Sequence, residues 1–334
     1  MAHKTPNGSY KSILLIRANA VSDFRVELAA RHLERAGYDV ETITYVPFYK
    51  ASQYDLIICC RPGIDMIEFL KVCLIAGKPV IVDLDDDFNS IPKHNSAYKY
   101  TGAGHPTYLM NLRQLLQQPN VSVTYASPEL VNRYKIDGTV IPNYWDDENP
   151  NWEAGSAKRD GLINIAFSGT ATHREDFNIA EPAIKKLLDE NENLRFVTQL
   201  DEQIYKRFLL YPERQKLFLP PLPYDDYPLS YRYFDIMVVP LRDTRFNRAK
   251  SDVKLSECGV AKVPYVASAL PQYTDWGVGG LTVGDDGWED ALRTLVASEE
   301  TRREYGQAGH EKALTRKASV VCQKWVELAE GLLK

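Results

Sequence analysis

Apolar and polar positions alternate along this chain in blocks rather than singly. Ser12 to Arg17 (SILLIR) is a short apolar run, which predicts a buried strand. From Val21 to Ala36 the spacing becomes helical, with Phe24, Leu28, Leu33 and Ala36 on one side and Gly37 as a stop. Val40 to Tyr45, Tyr54 to Cys60 (YDLIICC) and Pro79 to Leu84 (PVIVDL) read as further strands, with a helix over Ile64 to Ile75. After a polar stretch from Asn89 to Gly104, a helix is expected near Tyr108 to Gln117, a strand at Val121 to Tyr125 and a helix from Pro128. Strands that are apolar throughout and separated by helices indicate a parallel sheet covered on both faces.

The segment Trp145 to Gly161 (WDDENPNWEAGSAKRDG) is polar and has the composition of a linker. Beyond it the same rhythm restarts. Strands are expected at Leu162 to Phe167, Leu194 to Thr198, Lys216 to Leu219, Asp235 to Val239 and Pro264 to Ala267. Helices are expected at Asp176 to Asn191, Asp201 to Leu210 and Asp252 to Val260, with a weak signal over Tyr224 to Tyr233. In Ala318 to Leu332, the residues Val321, Trp325, Leu328 and Leu332 recur at helical spacing. The expectation is an α/β chain of two Rossmann-like domains facing across a cleft, where the C-terminal ends of parallel strands place ligands.

A length of 334 residues suits two domains, and 44% hydrophobic with 25% charged residues suits two packed cores. The net charge of −5 argues against binding nucleic acid over the whole surface and leaves a local basic groove open. Met66 to Ala76, the best apolar run, is short and holds Glu68 and Lys71, so no transmembrane segment is expected. The start, MAHKTPNGSYK, has no apolar stretch of a secretory signal. Cys59, Cys60, Cys73, Cys258 and Cys322 have no metal-ligand spacing; Cys59 and Cys60, inside an apolar strand pattern, read as buried thiols, and the setting as a reducing cytoplasm.

The most informative stretch is Phe246 to Ser268, FNRAKSDVKLSECGVAKVPYVAS. A polar loop with Asn247, Arg248 and Lys250 leads to Ser251, placed to cap a helix beginning at Asp252. Backbone donors at such a helix start attract phosphate, and Lys250 and Lys254 add charge. Glu257 lies near the face of Lys254 and suits hydrogen bonds from ribose hydroxyls. A surface helix carrying a Lys–Glu pair would show the same residues.

This stretch resembles the donor-binding signature of glycosyltransferases with the two-Rossmann (GT-B) fold, specifically the retaining group 1 family. Glu257, Gly259, Pro264, Val266, Ala267 and Ser268 stand in the family's order. The first of the family's usual two glutamates falls on Ala249, which leaves the sugar contact to Lys250 or its neighbours. The resemblance implies that Glu257 binds the ribose of a nucleotide-sugar donor. Asn164 to Phe177 (NIAFSGTATHREDF) resembles the opening of the family's second domain. There Gly169 and Thr170 would approach the diphosphate, with His173 or Arg174 supplying charge. Pro220 to Asp226 (PPLPYDD) resembles the loop that contacts the base, with Leu222 and Tyr224 as candidates, although an ordinary turn fits as well. Thr139 to Asn143 (TVIPN) resembles the family's domain-closing Ile-Pro-Asn. The last helix resembles one that crosses back onto the first domain. The implied division is an acceptor domain over 1–150, a donor domain over 151–317, and the crossing helix over 318–334.

The acidic run Asp83, Asp85, Asp86, Asp87 ends the fourth strand. Asp85 and Asp86, with Lys250, are the catalytic candidates, and Asp83, Tyr98 and Tyr100 the acceptor-binding ones. Asp83-Leu84-Asp85 also matches the Asp-X-Asp motif of single-Rossmann, metal-dependent enzymes, but it sits in the half without the donor signature. A solvated strand-end turn would also carry such a run. His94 and His105 match no family motif. Arg17 and Arg25 flank the first strand–helix turn, a weak phosphate candidate without a Gly-rich loop.

The expectation is thus a metal-independent glycosyltransferase acting with retention and needing no cofactor beyond its nucleotide-diphosphate sugar. The acceptor is a saccharide, a lipid-linked molecule or a modified DNA base. The DNA version would draw on the Arg242–Arg245–Arg248–Lys250 cluster and a means of extruding the base. A nucleotide-sugar 2-epimerase or an inactive binding subunit of the same fold are the remaining alternatives.

Overall fold

The computed structural model describes residues 11–17, 24–45, 47–155 and 160–334. The lead-in 1–10 and the start of the first helix at 21–23 lie outside them. The chain divides into two units, one of Met1–Asp146, Ala249–Ser251 and Ala318–Lys334, the other of Asp147–Arg248 and Asp252–Lys317.

In the first unit β1 (Ser12–Ile16), β2 (Asp39–Ile43), β3 (Leu56–Cys60), β4 (Val80–Leu84), β5 (Val121–Tyr125) and β6 (Thr139–Val140) form a sheet in the order β2-β1-β3-β4-β5-β6. In the second, β7 (Ile163–Ser168), β8 (Leu194–Gln199), β9 (Lys216–Leu219), β10 (Ile236–Val239), β11 (Tyr265–Ser268) and β12 (Gly280–Val283) run in the order β12-β11-β10-β7-β8-β9. Every pairing is parallel. Strand order reverses beside the first strand of each sheet, as in two Rossmann-like domains, so each sheet has a switch point at its C-terminal edge.

The helices that position the site are α1 (Phe24–Arg35), α2 (Ile64–Ile75), α3 (Pro106–Leu116), α4 (Glu181–Glu190), α5 (Val253–Val260), α6 (Trp288–Ala297), α7 (Glu299–Ala313) and α8 (Gln323–Leu332). Several expected boundaries shift for local reasons. The helix expected over Asp176 to Asn191 is broken into a short turn, Arg174–Phe177, and α4, with Pro182 in the first turn of the latter. Tyr224–Tyr233 is a ten-residue 3-10 helix with Pro228 inside it, where a missing N–H disfavours a regular α-helix. The strand β12 was not expected. It is an edge strand opened by glycine, none of its residues is fully buried, and so its pattern carries no strong apolar signal.

The first core joins strand residues Ile13, Leu15, Ile58 and Ile81 to Val26, Ala29 and Leu33 of α1, and to Trp325, Val326 and Ala329 of α8. The C-terminal helix is therefore part of this core. Inside it sits a charge pair. Arg25 of α1 donates from Nε and Nη2 to the two carboxylate oxygens of Asp83 at 2.7 and 2.8 Å. Thr124 Oγ1 on β5 adds a bond of 2.6 Å to Asp83 Oδ1. The guanidinium also lies 5.6 Å from the ring of Trp325, and Tyr144 donates to the Arg25 carbonyl. Both charges are almost wholly buried, at 3% and 1%. Burial by itself would pull the Arg25 pKa down, but Asp83 outweighs it and moves the pKa above its ordinary value.

The second core is aromatic. Phe167, Phe177, Phe196 and Phe208 pack from β7, the turn after it, β8 and the segment beyond β8, with Phe196 and Phe208 centroids 4.2 Å apart. Helix α5 is fixed by a backbone approach: a Cβ on Gly259 would stand 2.4 Å from the carbonyl oxygen of Gly309 on α7. Gly259 is required there for packing, independently of any ligand.

Breaking a buried pair leaves an uncompensated charge at a cost of about 3–5 kcal/mol. Arg25→Met and Asp83→Leu should each lower the denaturant midpoint of the first unit's transition, and the double variant should recover most of the loss. Circular dichroism during urea unfolding reads this, and wild-type midpoints in both single variants would contradict it.

Candidate functional site

In the second unit the switch point lies between β7 and β10, where Ser168-Gly169-Thr170 and Pro240-Leu241-Arg242 leave the sheet. Asp176 ties the two exits together. Its Oδ1 accepts from the backbone N–H of Arg242 and from Asn247 Nδ2, both at 2.9 Å, and its Oδ2 meets His173 Nδ1 at 2.9 Å. Sequence reasoning passed over Asp176, because nothing in one acidic residue of a polar turn shows which loop it will reach. Gly169 is buried, and a Cβ there would stand 2.6 Å from the ring of Phe167. Its backbone is thus held tight to the strand end. Thr170 is exposed and its hydroxyl meets that of Thr172 at 2.9 Å.

Helix α5 contributes Lys254 and Glu257. Glu257 Oε2 accepts three hydrogen bonds, from Lys254 Nζ at 2.7 Å, Tyr231 OH at 2.8 Å and Tyr227 OH at 3.1 Å. Oε1 takes none among the described residues, and the side chain is 17% exposed. Lys254 Nζ also donates to Tyr227 OH at 2.6 Å and lies 5.3 Å from that ring. Ser168 Oγ, at the end of β7, is 3.5 Å from Tyr227 OH and donates to Gln199 Oε1 at 2.8 Å. The cluster thus lies beside the switch point. Burial raises the pKa of both tyrosines, and the Glu257 carboxylate raises them further. Burial would lower that of Lys254, but Glu257 and then Tyr227 outweigh it and keep the ammonium charged. The result is a charged, half-buried group with one carboxylate oxygen available.

Other expected donor residues are engaged elsewhere. The side chain of Asn247 is buried and donates to Asp176 and to the carbonyl of Arg242, so it holds the loop rather than a ligand. Arg174 grips Asp201 through Nε and Nη2 at 2.6 and 2.9 Å, a scaffold role although it is 41% exposed. Helix α5 starts at Val253, with Asp252 in the cap position but making no capping bond. Its carboxylate pairs with Arg316 at 2.6 Å, and burial raises its pKa despite that partner. Ser251 does not cap either: its Oγ accepts from Asn143 Nδ2 at 2.8 Å within the first unit. Leu222 is exposed, Tyr224 half-buried.

Lys250 belongs with the first unit, where its Nζ lies 3.4 Å from Asp86 Oδ1. Two of the three expected catalytic residues are therefore neighbours. Asp85, the third, stands 3.5 Å from Arg61 Nε. Asp83 is corrected: it faces inward onto Arg25 and Thr124 and is closed to an acceptor. Arg25 is thereby removed as a phosphate ligand, and Arg17 pairs with Glu27. Asp87 is also buried and accepts from Ser90 Oγ at 2.6 Å and the Asn89 N–H at 3.2 Å. Tyr98 is half-buried, and Tyr100 is 72% exposed. His105 Nδ1 accepts from the Tyr108 N–H at 3.0 Å and caps α3.

A cavity of about 590 Å³ in the second unit touches Ile163, Asp235 and Pro264. These residues precede or open their strands, so it lies at the N-terminal edge, away from the edge where this fold places ligands.

No family model and no curated protein matches the sequence. Solved structures do match the fold. HepE (Alr3699) of Anabaena, in complex with UDP and glucose, superposes with a TM-score of 0.69 at 15% identity, covering 96% of this chain and 100% of that one. The UDP-forming α,α-trehalose-phosphate synthase of Burkholderia xenovorans gives 0.67 at 10% identity, covering 97% and 100%. WaaG, a glycosyltransferase involved in lipopolysaccharide biosynthesis, gives 0.63 at 9% identity, covering 95% and 98%. The chain has the GT-B fold.

Two outcomes are expected from the geometry of the switch point. Asp176→Ala strands the Arg242 N–H and one of the two Asn247 amide N–H donors, each at about 1–3 kcal/mol. It should lower the stability of the second unit and speed hydrogen exchange across 242–248; unchanged exchange would count against the assignment. Burial tends to raise the Asp201 pKa, but its bonds from Arg174 and the Gln203 N–H prevail and hold it below the ordinary range. Its stabilising contribution is therefore complete above the unfolded carboxylate value of about 3.9 and is lost as pH falls through the lower folded value. The stability gap between wild type and Arg174→Gln should accordingly close in acid; a gap that widens below about pH 4 would refute this.

Proposed function

We propose that this chain is a glycosyltransferase that moves a sugar from a nucleotide-diphosphate donor to an acceptor hydroxyl. The observation that carries the reading is Glu257 at the second sheet's switch point, with Oε2 tied to Lys254, Tyr227 and Tyr231 and Oε1 left to accept. A carboxylate presenting one acceptor oxygen suits ribose hydroxyls, and the resemblance of Glu257 to Ser268 to the donor signature supports it. The tight turn at Gly169-Thr170, with His173 beside it, suits the diphosphate. The Lys254 ammonium suits the charge that develops as the diphosphate departs. UDP is the nucleotide to test first, since the Anabaena structure holds UDP and glucose.

Asp85 and Asp86, with Lys250, remain our catalytic candidates, and Tyr98 and Tyr100 our candidates on the acceptor side. Retention at the anomeric carbon is part of the proposal and rests on the signature alone. So is independence from metal and cofactor: in Asp83-Leu84-Asp85 the first carboxylate is engaged by Arg25, which leaves the Asp-X-Asp motif without a second ligand. Among the described residues no helix is long and apolar enough to cross a membrane, and the five cysteines are buried and form no disulfide. The thiols support a reducing, cytoplasmic setting.

Saccharide and lipid-linked acceptors fit this reading better than DNA. Of the arginines expected to form a basic track, Arg242 pairs with Glu175 and Arg248 with Asp243, and Lys250 is beside Asp86. No observation favours an epimerase or an inactive subunit.

A ligand that binds only the folded state raises the melting temperature. One nucleotide sugar among UDP, GDP and ADP forms should do so, and Glu257→Ala should weaken its binding at least about tenfold by calorimetry with the fold retained. Near-wild-type affinity in a folded variant would end the assignment of Glu257. The anomeric configuration of the product, by NMR, tests retention.

A further inference from the structure

Glu257 is held by groups that the donor signature does not include. Tyr227 and Tyr231 stand four residues apart on the 3-10 helix, with ring centroids 5.8 Å apart and hydroxyls 3.4 Å apart. Both hydroxyls donate to the same oxygen, Oε2. With Lys254 added, that oxygen accepts three bonds, while a carboxylate oxygen offers about two lone pairs. No acceptor capacity remains on it for a ligand.

The 3-10 helix is itself anchored. Asn149 Nδ2 and Asn151 Nδ2 donate to the carbonyl of Asp225 at 2.8 and 2.9 Å. Trp152 packs on Tyr231 with centroids 5.7 Å apart, and Gln199 Nε2 donates to Ser230 Oγ. The tyrosines therefore hold a fixed position, and through them so does the carboxylate plane.

Resting on the donor reading above, we infer that Tyr231 and Tyr227 are positioning residues that turn Glu257 so that Oε1 alone recognises the ribose hydroxyls of a nucleoside diphosphate. Neither tyrosine hydroxyl touches the ligand. Their whole effect on affinity passes through the ribose contact.

The test removes the hydroxyl from the protein and the hydroxyls from the ligand in turn. Calorimetry is run on wild type and Tyr231→Phe with whichever of UDP, GDP or ADP binds tightest, and with its 2′,3′-dideoxy form. Tyr231→Phe should weaken the ribonucleotide about tenfold and leave the dideoxy form within about twofold. Equal losses for both ligands, or no loss for the ribonucleotide, would overturn the inference and leave the donor reading standing. Wild type that binds none of the three diphosphates would overturn both. Tyr227→Phe carries the same comparison if Tyr231→Phe fails to fold, as judged by circular dichroism.

Discussion

The first unit depends on one buried ion pair. Arg25 reaches Asp83 from the first helix with a two-pronged grip, and Thr124 supplies a further donor from the neighbouring strand. The same guanidinium bonds Asn143 Oδ1 at 3.2 Å, and Asn143 passes the contact on to Ser251. Helix α1, strands β4 and β5, the segment after β6 and the residues Ala249–Ser251 are thus registered against one another by a single connected set of polar atoms. An apolar cluster of similar volume could be as stable, since desolvation offsets much of the Coulombic gain. What the pair adds is direction: each bond has an angle as well as a distance. That is what fixes Asp83 inward. Asp83 and Asp87 are consumed by the interior, and Asp85 and Asp86 are half-buried beside Arg61 and Lys250.

The second unit uses the same device twice with different results. At Asp176 both oxygens are engaged, and the outcome is a fastened pair of loops. At Glu257 one oxygen is crowded and the other takes no partner among the described residues. The position of α5 does not depend on those bonds. Gly259 lets the helix backbone close on Gly309 of α7, so the helix is placed by steric fit and its polar face is free to be arranged for another purpose.

The two sheets were legible because buried parallel strands are apolar over their whole length. Runs such as SILLIR and YDLIICC leave no periodic alternative, whereas β12, half-covered at an edge, had no such signal. The candidate site was legible only in part. Glu257 and Lys254 stand three residues apart on a helix, a spacing that sequence displays directly. Tyr227 and Tyr231 were hidden, because their segment contains Pro228 and forms a 3-10 helix whose direction no helical periodicity reports. Asp83 was misassigned for a complementary reason. A strand-end carboxylate looks the same in sequence whether it meets solvent or an arginine 58 residues away in the chain.

A bland reading of Lys254 and Glu257 as a surface helix pair makes a physical claim that the structure does not meet. Such pairs lie in water, cost little and stabilise little. Here the ammonium and carboxylate are largely withdrawn from water, and buried Tyr231 and half-buried Tyr227 converge on one oxygen, beside Ser168 at the sheet end. Desolvating both charges works against folding, and three donors on one oxygen exceed what satisfying it requires. A packed apolar patch would stabilise the unit at least as well. On the proposed reading, the remaining oxygen takes its partner from outside the protein, held where the tyrosines aim it.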